Sequence, residues 1–212
     1  MKVALLAPPY PLEEAPSPPL GLCAVAAACE AAGADVRVFD YIVSRYTPEK
    51  LKKQLFAFSP DIIGATAVTL NFPQAAEMLK TAKRCLPEAV TIMGGPHVSF
   101  AAAETFAAYP AIDLIFLGEA DMTLPRWLPV YNKRSAWRSI QGLSFLENGR
   151  RVDTGFGELT RNMDDLPRPA RHLLPLSRYR ALGYPISLIT SRGCPNQCIF
   201  CLGRQMVGAK VR

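Results

Sequence analysis

Cys194, Cys198 and Cys201 stand within eight residues near the end of the sequence, in the string Thr190-Ser-Arg-Gly-Cys-Pro-Asn-Gln-Cys-Ile-Phe-Cys201. Thiolates at this spacing can converge on one soft metal centre, because so short a loop can curl round it. The count of three is informative. A closed structural zinc site takes four protein ligands, and an ordinary four-iron cluster is held by four cysteines. Three ligands in one loop leave one metal position without a protein partner and open to a small molecule. A zinc knuckle completed by a distant side chain, or unrelated thiols in a loop, are the competing readings.

Cys-x3-Cys-x2-Cys with an aromatic just before the last cysteine, after Ser191-Arg-Gly-Cys-Pro195 at the end of an apolar run, resembles the radical S-adenosylmethionine signature. The resemblance implies a [4Fe-4S] cluster on Cys194, Cys198 and Cys201, with Phe200 beside it. S-adenosylmethionine would chelate the fourth iron. A one-electron reductant would drive its cleavage to a 5′-deoxyadenosyl radical.

Elements must position this chemistry, and the first 140 residues alternate strand and helix signals. Lys2–Ala7 is a short apolar run ended by Pro8-Pro9-Tyr10-Pro11, and Pro18-Pro19 opens a helix over Leu20–Ala32 with Gly33 as its stop. That helix is almost wholly Ala, Cys, Leu and Val, so little of it can face water. Asp35–Asp40 is a second strand, and Thr47-Pro48-Glu49 caps a helix through Phe58. Asp61–Val68 reads as a buried third strand, followed by helical spacing from Phe72 to Leu86. Val90–Met93 and Asp113–Leu117 are the fourth and fifth strands, with helices over about 100–108 and 124–131. Near-continuously apolar strands separated by helices demand a parallel sheet covered on both faces. The expected fold is α/β: a doubly wound, five-stranded, flavodoxin-like sheet of order 2-1-3-4-5. After it come a hairpin with Asn148-Gly149 at its turn and a proline-punctuated linker. The segment 185–190 reads as the first strand of a second, barrel domain. The expected division is 1–140, 141–184 and 185–212.

Ligands of such sheets bind outside the carboxyl ends of the strands. That edge carries Pro8-Pro9, Thr66 and Thr69, Gly94-Gly95-Pro96-His97, and Gly118-Glu119-Ala120-Asp121. No Gly-x-Gly-x-x-Gly follows the first strand, which disfavours a dinucleotide. These strings, with the Pro19-Leu20-Gly21-Leu22 helix start, resemble the cobalamin-binding domain found in front of many radical S-adenosylmethionine enzymes. The resemblance implies cobalamin along Pro8, Pro9, Leu20, Gly21, Thr66, Thr69, Gly94–His97, Gly118 and Glu119. The Asp-x-His-x-x-Gly loop of the best-known cobalamin domains is absent after the first strand, so no histidine from there would reach the cobalt. Ala120-Asp121 stands where Gly-Glu is common.

Half of the 212 residues are hydrophobic, ample for a core, and no run approaches a membrane span or a signal peptide. Cys23, Cys29 and Cys85 sit in apolar helical patterns as small core hydrophobes, so a disulfide framework is not expected and a cytoplasmic setting is. The formal charge of +6 is uneven. Residues 1–149 hold 13 Lys/Arg against 14 Asp/Glu, and residues 150–212 hold 11 against 4. The basic residues are scattered and lack interleaved aromatic platforms, which favours arginines pairing with acidic surfaces of a missing domain over nucleic-acid binding.

The resemblance covers the whole chain, but the chain covers only the first part of such an enzyme. The expected function is methyl transfer or cyclisation at an unactivated carbon of a small molecule or lipid. By itself the chain is expected to be inactive, with residues from about Tyr184 onward unsupported. Two other classes compete: a radical enzyme modifying RNA, and a non-catalytic small-molecule-binding domain.

Overall fold

The computed structural model describes residues 1–10 and 17–212; Pro11, read above as part of the stop after the first strand, lies outside them. The elements run β1 (Lys2–Ala7), α1 (Leu20–Ala31), β2 (Asp35–Asp40), α2 (Pro48–Phe58), β3 (Ile62–Thr66), α3 (Phe72–Cys85), β4 (Val90–Gly94), α4 (Pro96–Phe100), α5 (Ala102–Ala108), β5 (Leu114–Phe116), α6 (Leu124–Trp127), β6 (Leu143–Glu147), β7 (Arg150–Asp153), α7 (Leu176–Ala181) and α8 (Gly203–Val207). The strands form one sheet of order β2-β1-β3-β4-β5-β6-β7.

The expectation of a five-stranded sheet is corrected by this order. β1 to β5 are parallel in the order 2-1-3-4-5, but the hairpin is no appendage: β6 pairs antiparallel with β5, and β7 with β6. The physical reason is that β5 would otherwise expose a row of unpaired backbone groups. Leu114, Ile115 and Phe116 pair with Phe145, Ser144 and Leu143, so the hairpin covers that edge. Asn148 and Gly149 both take positive φ at the turn, as an Asn-Gly hairpin requires.

Two cores flank the sheet. One face carries Leu6, Phe39, Ile63 and Met93 under α2, α3 and α5; the other carries Val3, Leu5, Ile62, Ile92 and Phe116 under α1 and α6. α1 buries Leu22, Cys23, Ala24, Ala26, Ala27, Ala28 and Cys29, the small side chains that let it lie close to the sheet. Pro19 is its N-cap rather than a first-turn residue. Burial pushes the Cys23 thiol up to about 11 and that of Cys29 to about 12, so both stay neutral hydrophobes. The linker crosses back over this layer, where the Ala170 N–H donates to the Cys23 carbonyl at 3.0 Å and His172 meets Glu30 at 3.0 Å.

Residues 185–190, expected as a strand, are irregular and almost wholly exposed. A lone strand has no ladder to satisfy its backbone. The pairing that does form lies just beyond: Arg192 and Arg212 exchange backbone hydrogen bonds at 2.8 and 3.1 Å, and the Cys194 N–H donates to the Gly208 carbonyl at 3.0 Å. The end of the chain is therefore not unsupported. No helix among the described residues is long and apolar enough to cross a membrane.

Candidate cofactor-binding site

Gly64 sits in register between Leu5 of β1 and Ile92 of β4, so all three positions point to the α1 face. A Cβ there would lie 2.9 Å from Leu5 Cδ2 and 3.1 Å from Ile92 Cγ1. The missing side chain leaves the floor of a cleft of about 500 Å³, between α1 and the carboxyl ends of β1, β3, β4 and β5. Gly21, Leu22 and Val25 of α1 form one wall; Thr66, Gly94, Gly95, Pro96, Gly118 and Glu119 form the sheet-edge wall. Ile189, Ser191, Arg192, Gly193, Met206 and Val207 close the outside.

The sheet-edge loops are held rigidly. Gly95 has φ +105°, and a Cβ on it would meet the Ala67 carbonyl oxygen at 2.6 Å and Thr66 Oγ1 at 2.9 Å. Only glycine tolerates that combination. Buried Ser99 bridges two loops: its hydroxyl donates to the Gly95 carbonyl at 2.9 Å and accepts from the Gly118 N–H at 3.0 Å.

The sequence-marked residues do not all converge. Thr66, Gly94, Gly95, Pro96, Gly118, Glu119 and Gly21 line the cleft. Pro8 and Thr66 border a neighbouring hollow of about 260 Å³, whereas Pro9 faces another beside Tyr41 and Tyr46. Leu20 is the half-buried first residue of α1. Thr69 is exposed and meets His97 Nδ1 at 3.3 Å, and the His97 ring stacks on Phe72 with centroids 4.0 Å apart. These two residues lie off the cleft wall. Burial holds the His97 pKa below its ordinary value, opposed in part by Glu104.

Cys194 is half-buried, Cys198 and Cys201 are exposed, and Phe200 is 88% exposed. Cys198 and Cys201 border one hollow, which Cys194 does not reach. No group of three or more His, Cys, Asp or Glu among the described residues is gathered to hold a metal. The backbone of Cys194 is tied to that of Gly208, through its N–H at 3.0 Å, which leaves its thiol without a bond of its own in this contact.

The sequence analysis missed the electrostatic centre of the site. Arg192 Nη1 lies 2.7 Å from Asp121 Oδ2 and 3.4 Å from Glu119 Oε2, and its Nη2 lies 3.3 Å from Asp121 Oδ1. Arg212 grips Glu119 from the other side, at 3.0 and 3.2 Å, and also donates to the Thr160 and Val207 carbonyls. Burial works against the Arg192 charge, but the Asp121 hydrogen bond and both carboxylates outweigh it and raise its pKa. The signal was present as charge asymmetry: a basic end and an acidic loop at 119–121.

The cleft suits a flat, largely apolar group far better than a phosphate chain. Its walls are aliphatic, and its polar groups are backbone, hydroxyls and the paired Glu119, Asp121 and Arg192, so it offers no free cation to a phosphate chain. Those residues fit the heteroaromatic end of cobalamin.

Comparison with known proteins agrees. A model of the B12 binding domain matches residues 14–128. An uncharacterized methyltransferase of Pyrococcus horikoshii is 34% identical over 100% of this chain and 47% of its own length. Hopanoid C-3 methylase of Methylococcus capsulatus is 33% identical over 92% of the chain and 37% of its length. An anaerobic magnesium-protoporphyrin IX monomethyl ester cyclase of Cereibacter sphaeroides is 30% identical over 87% and 31%. The chain thus spans less than half the length of these relatives. Among solved structures, the cobalamin-dependent S-adenosylmethionine radical enzyme OxsB superposes with a TM-score of 0.84 at 23% identity, over 100% of this chain and 29% of that one. The radical S-adenosylmethionine methyltransferase TsrM of Kitasatospora setae gives 0.78 at 19% identity, over 99% and 42%. By its matched domain the chain belongs to the B12-binding-domain family, and over its length it is similar in fold to cobalamin-dependent radical S-adenosylmethionine enzymes.

Proposed function

We propose that this chain is the cobalamin-binding portion of an enzyme that methylates or cyclises an unactivated carbon of a small molecule or lipid. The observation that carries the reading is the cleft itself. Its inner wall is the glycine-lined edge of a cobalamin-type sheet, and its outer wall is the stretch leading into the cysteine loop. One ligand there would touch both halves of the chemistry.

When bound, cobalamin supplies a methyl group or an electron, and S-adenosylmethionine on its cluster supplies hydrogen-atom abstraction. This chain's own residues bind and orient. Gly64, Gly95 and Gly118 let the surrounding chain pack tightly into the cleft's wall, α1 and the aliphatic floor exclude water, and the Thr66 hydroxyl offers a hydrogen bond at the rim. His97, held by Phe72 and Thr69 off the cleft wall, is not among the residues that would hold the group. Cys194, Cys198 and Cys201 are the ligands offered to the cluster in the longer protein, with Phe200 beside them. The substrate is expected to meet the barrel that follows, a one-electron reductant is the expected partner, and this portion alone is expected to lack turnover.

Anaerobic reconstitution with iron, sulfide and hydroxocobalamin tests the reading. Visible spectra should report one bound corrinoid, and electron paramagnetic resonance of its cobalt(II) form should lack nitrogen splitting from a protein histidine. Thr66→Trp, which fills the rim, should weaken binding at least about tenfold, the loss expected when a bulky ring blocks a preformed pocket. Unchanged affinity in that variant would remove the site.

A further inference from the structure

We propose that Glu119 and Asp121 form the receptor for Arg192, a clasp that holds the start of the cysteine loop as the outer wall of the cleft and couples that loop's order to occupancy of the cleft. The inference rests on the cofactor reading only for the identity of the cleft's occupant.

Two carboxylates and two guanidinium groups make a closed, charge-balanced set. The Arg192, Asp121, Glu119 and Arg212 side chains are 18%, 11%, 7% and 7% exposed. Charges this sequestered are weakly screened, and removing one member strands another in a poorly hydrated place. Both arginines meet their carboxylates through two nitrogens, a geometry that a lysine cannot reproduce. The clasp is also cooperative. Arg192 and Arg212 exchange backbone hydrogen bonds, so releasing one loosens the other. Gly193 fixes the register between them: with φ +112°, a Cβ there would lie 2.1 Å from the Lys210 carbonyl oxygen. Cys194 follows directly, so the clasp sets where the cysteine loop begins.

The coupling follows from the cleft's walls. Glu119 and Asp121 line it from the sheet edge, and Ile189, Ser191, Arg192 and Gly193 line it from the tail. A ligand that touches both walls binds the clasped state better than the open one, and by linkage the clasp must favour the ligand equally. Glu119, Asp121 and Arg192 are positioning residues in this scheme.

Hydrogen exchange of the full chain, read by mass spectrometry with and without hydroxocobalamin, tests it. The amides of Arg192, Cys194, Gly208 and Arg212, which donate backbone hydrogen bonds, should be protected in the wild type. In Arg192→Gln and in Asp121→Asn they should exchange about tenfold faster or more, as expected when a buried pair loses one member, with β1–β5 unchanged. Arg192→Lys should fall between them. Hydroxocobalamin should slow exchange at 189–194 in the wild type and bind Arg192→Gln roughly fivefold more weakly or worse, a typical allosteric coupling. Should Asp121→Asn fail to fold, Arg192→Gln decides alone, because it leaves the acidic loop and the sheet intact. Exchange unaffected by Arg192→Gln would overturn the clasp, and equal hydroxocobalamin affinity in all forms would overturn the coupling. No uptake by any form, with the exchange pattern as expected, would sink the cofactor reading while supporting the clasp.

Discussion

Glycine at position 95 shows how much of this site is decided atom by atom. Its φ of +105° lies where side chains are strained, and a single added carbon would run into the Ala67 carbonyl oxygen. Gly21, on the opposite wall of the cleft, has open space where its Cβ would be and lies in the first turn of α1. The two glycines therefore predict opposite outcomes. Gly95→Ala should cost about 1–3 kcal/mol from backbone strain alone, whereas Gly21→Ala should stabilise by up to about 1 kcal/mol through helix propensity. Urea denaturation of both variants checks this, and a neutral Gly95→Ala would mean that the Gly94–His97 turn relaxes freely. At the same scale, Gly94-Gly95-Pro96 was legible in the sequence, because a glycine pair before a proline marks a turn whatever the fold. The Ser99 bridge between two loops was not, since a serine inside a helical pattern carries no sign of a partner nineteen residues away.

Among elements, α7 adds a buried tie between the linker and the first domain, through one side chain. Tyr179 is fully buried and donates to Asp40 Oδ2 at 2.6 Å, at the carboxyl end of β2. Burial raises the Asp40 pKa, and the Tyr179 hydroxyl with the Ile42 N–H works to lower it. Tyr179→Phe removes one of those donors and should destabilise the chain by about 1–3 kcal/mol at neutral pH. The sign with pH is fixed. The Tyr179 hydroxyl favours the ionised carboxyl, so removing it raises the Asp40 pKa further; the deficit is full where Asp40 is ionised and should shrink as acidification protonates it. A pH-independent deficit in thermal melts between pH 4 and pH 7 would assign the loss to packing instead. Four of the five parallel strands were legible as short, nearly continuous apolar runs, and β2 as the apolar Val36, Val38 and Phe39 around Arg37. The attachment of the hairpin to β5 was not, because strand pairing is a long-range choice that the edge, and not the hairpin, dictates. The segment 185–190 misled for the complementary reason: an apolar run makes a strand only where a partner waits.

Over the whole molecule the basic end is folded back onto the acidic part of the same chain. The surplus of Lys/Arg beyond residue 149 suggested pairing with acidic surfaces of a missing domain. The acidic surface is instead in the first domain, at Glu119 and Asp121. Other arginines of the end are occupied close by. Arg171 donates to the Ser187 carbonyl, Arg204 to that of Pro195, and Arg151 pairs with Asp153. Nucleic-acid binding needs a row of cations free to contact successive phosphates, and each such contact steepens the salt dependence. Arg192 and Arg212 cannot serve while they are clasped, and the exposed phenylalanines of this end, Phe156 and Phe200, do not make a series of platforms. Fluorescence anisotropy with labelled tRNA should therefore give a dissociation constant no tighter than about 1 µM near physiological salt, with only a shallow dependence between roughly 50 and 200 mM. Submicromolar binding that falls by three or more orders of magnitude, on the order expected for six to ten phosphate contacts, would promote RNA over a small molecule or lipid as the substrate. Arg192→Gln gives the internal control. If the clasp competes with phosphate, opening it exposes the acidic loop along with the freed tail, so tRNA affinity should stay flat rather than rise.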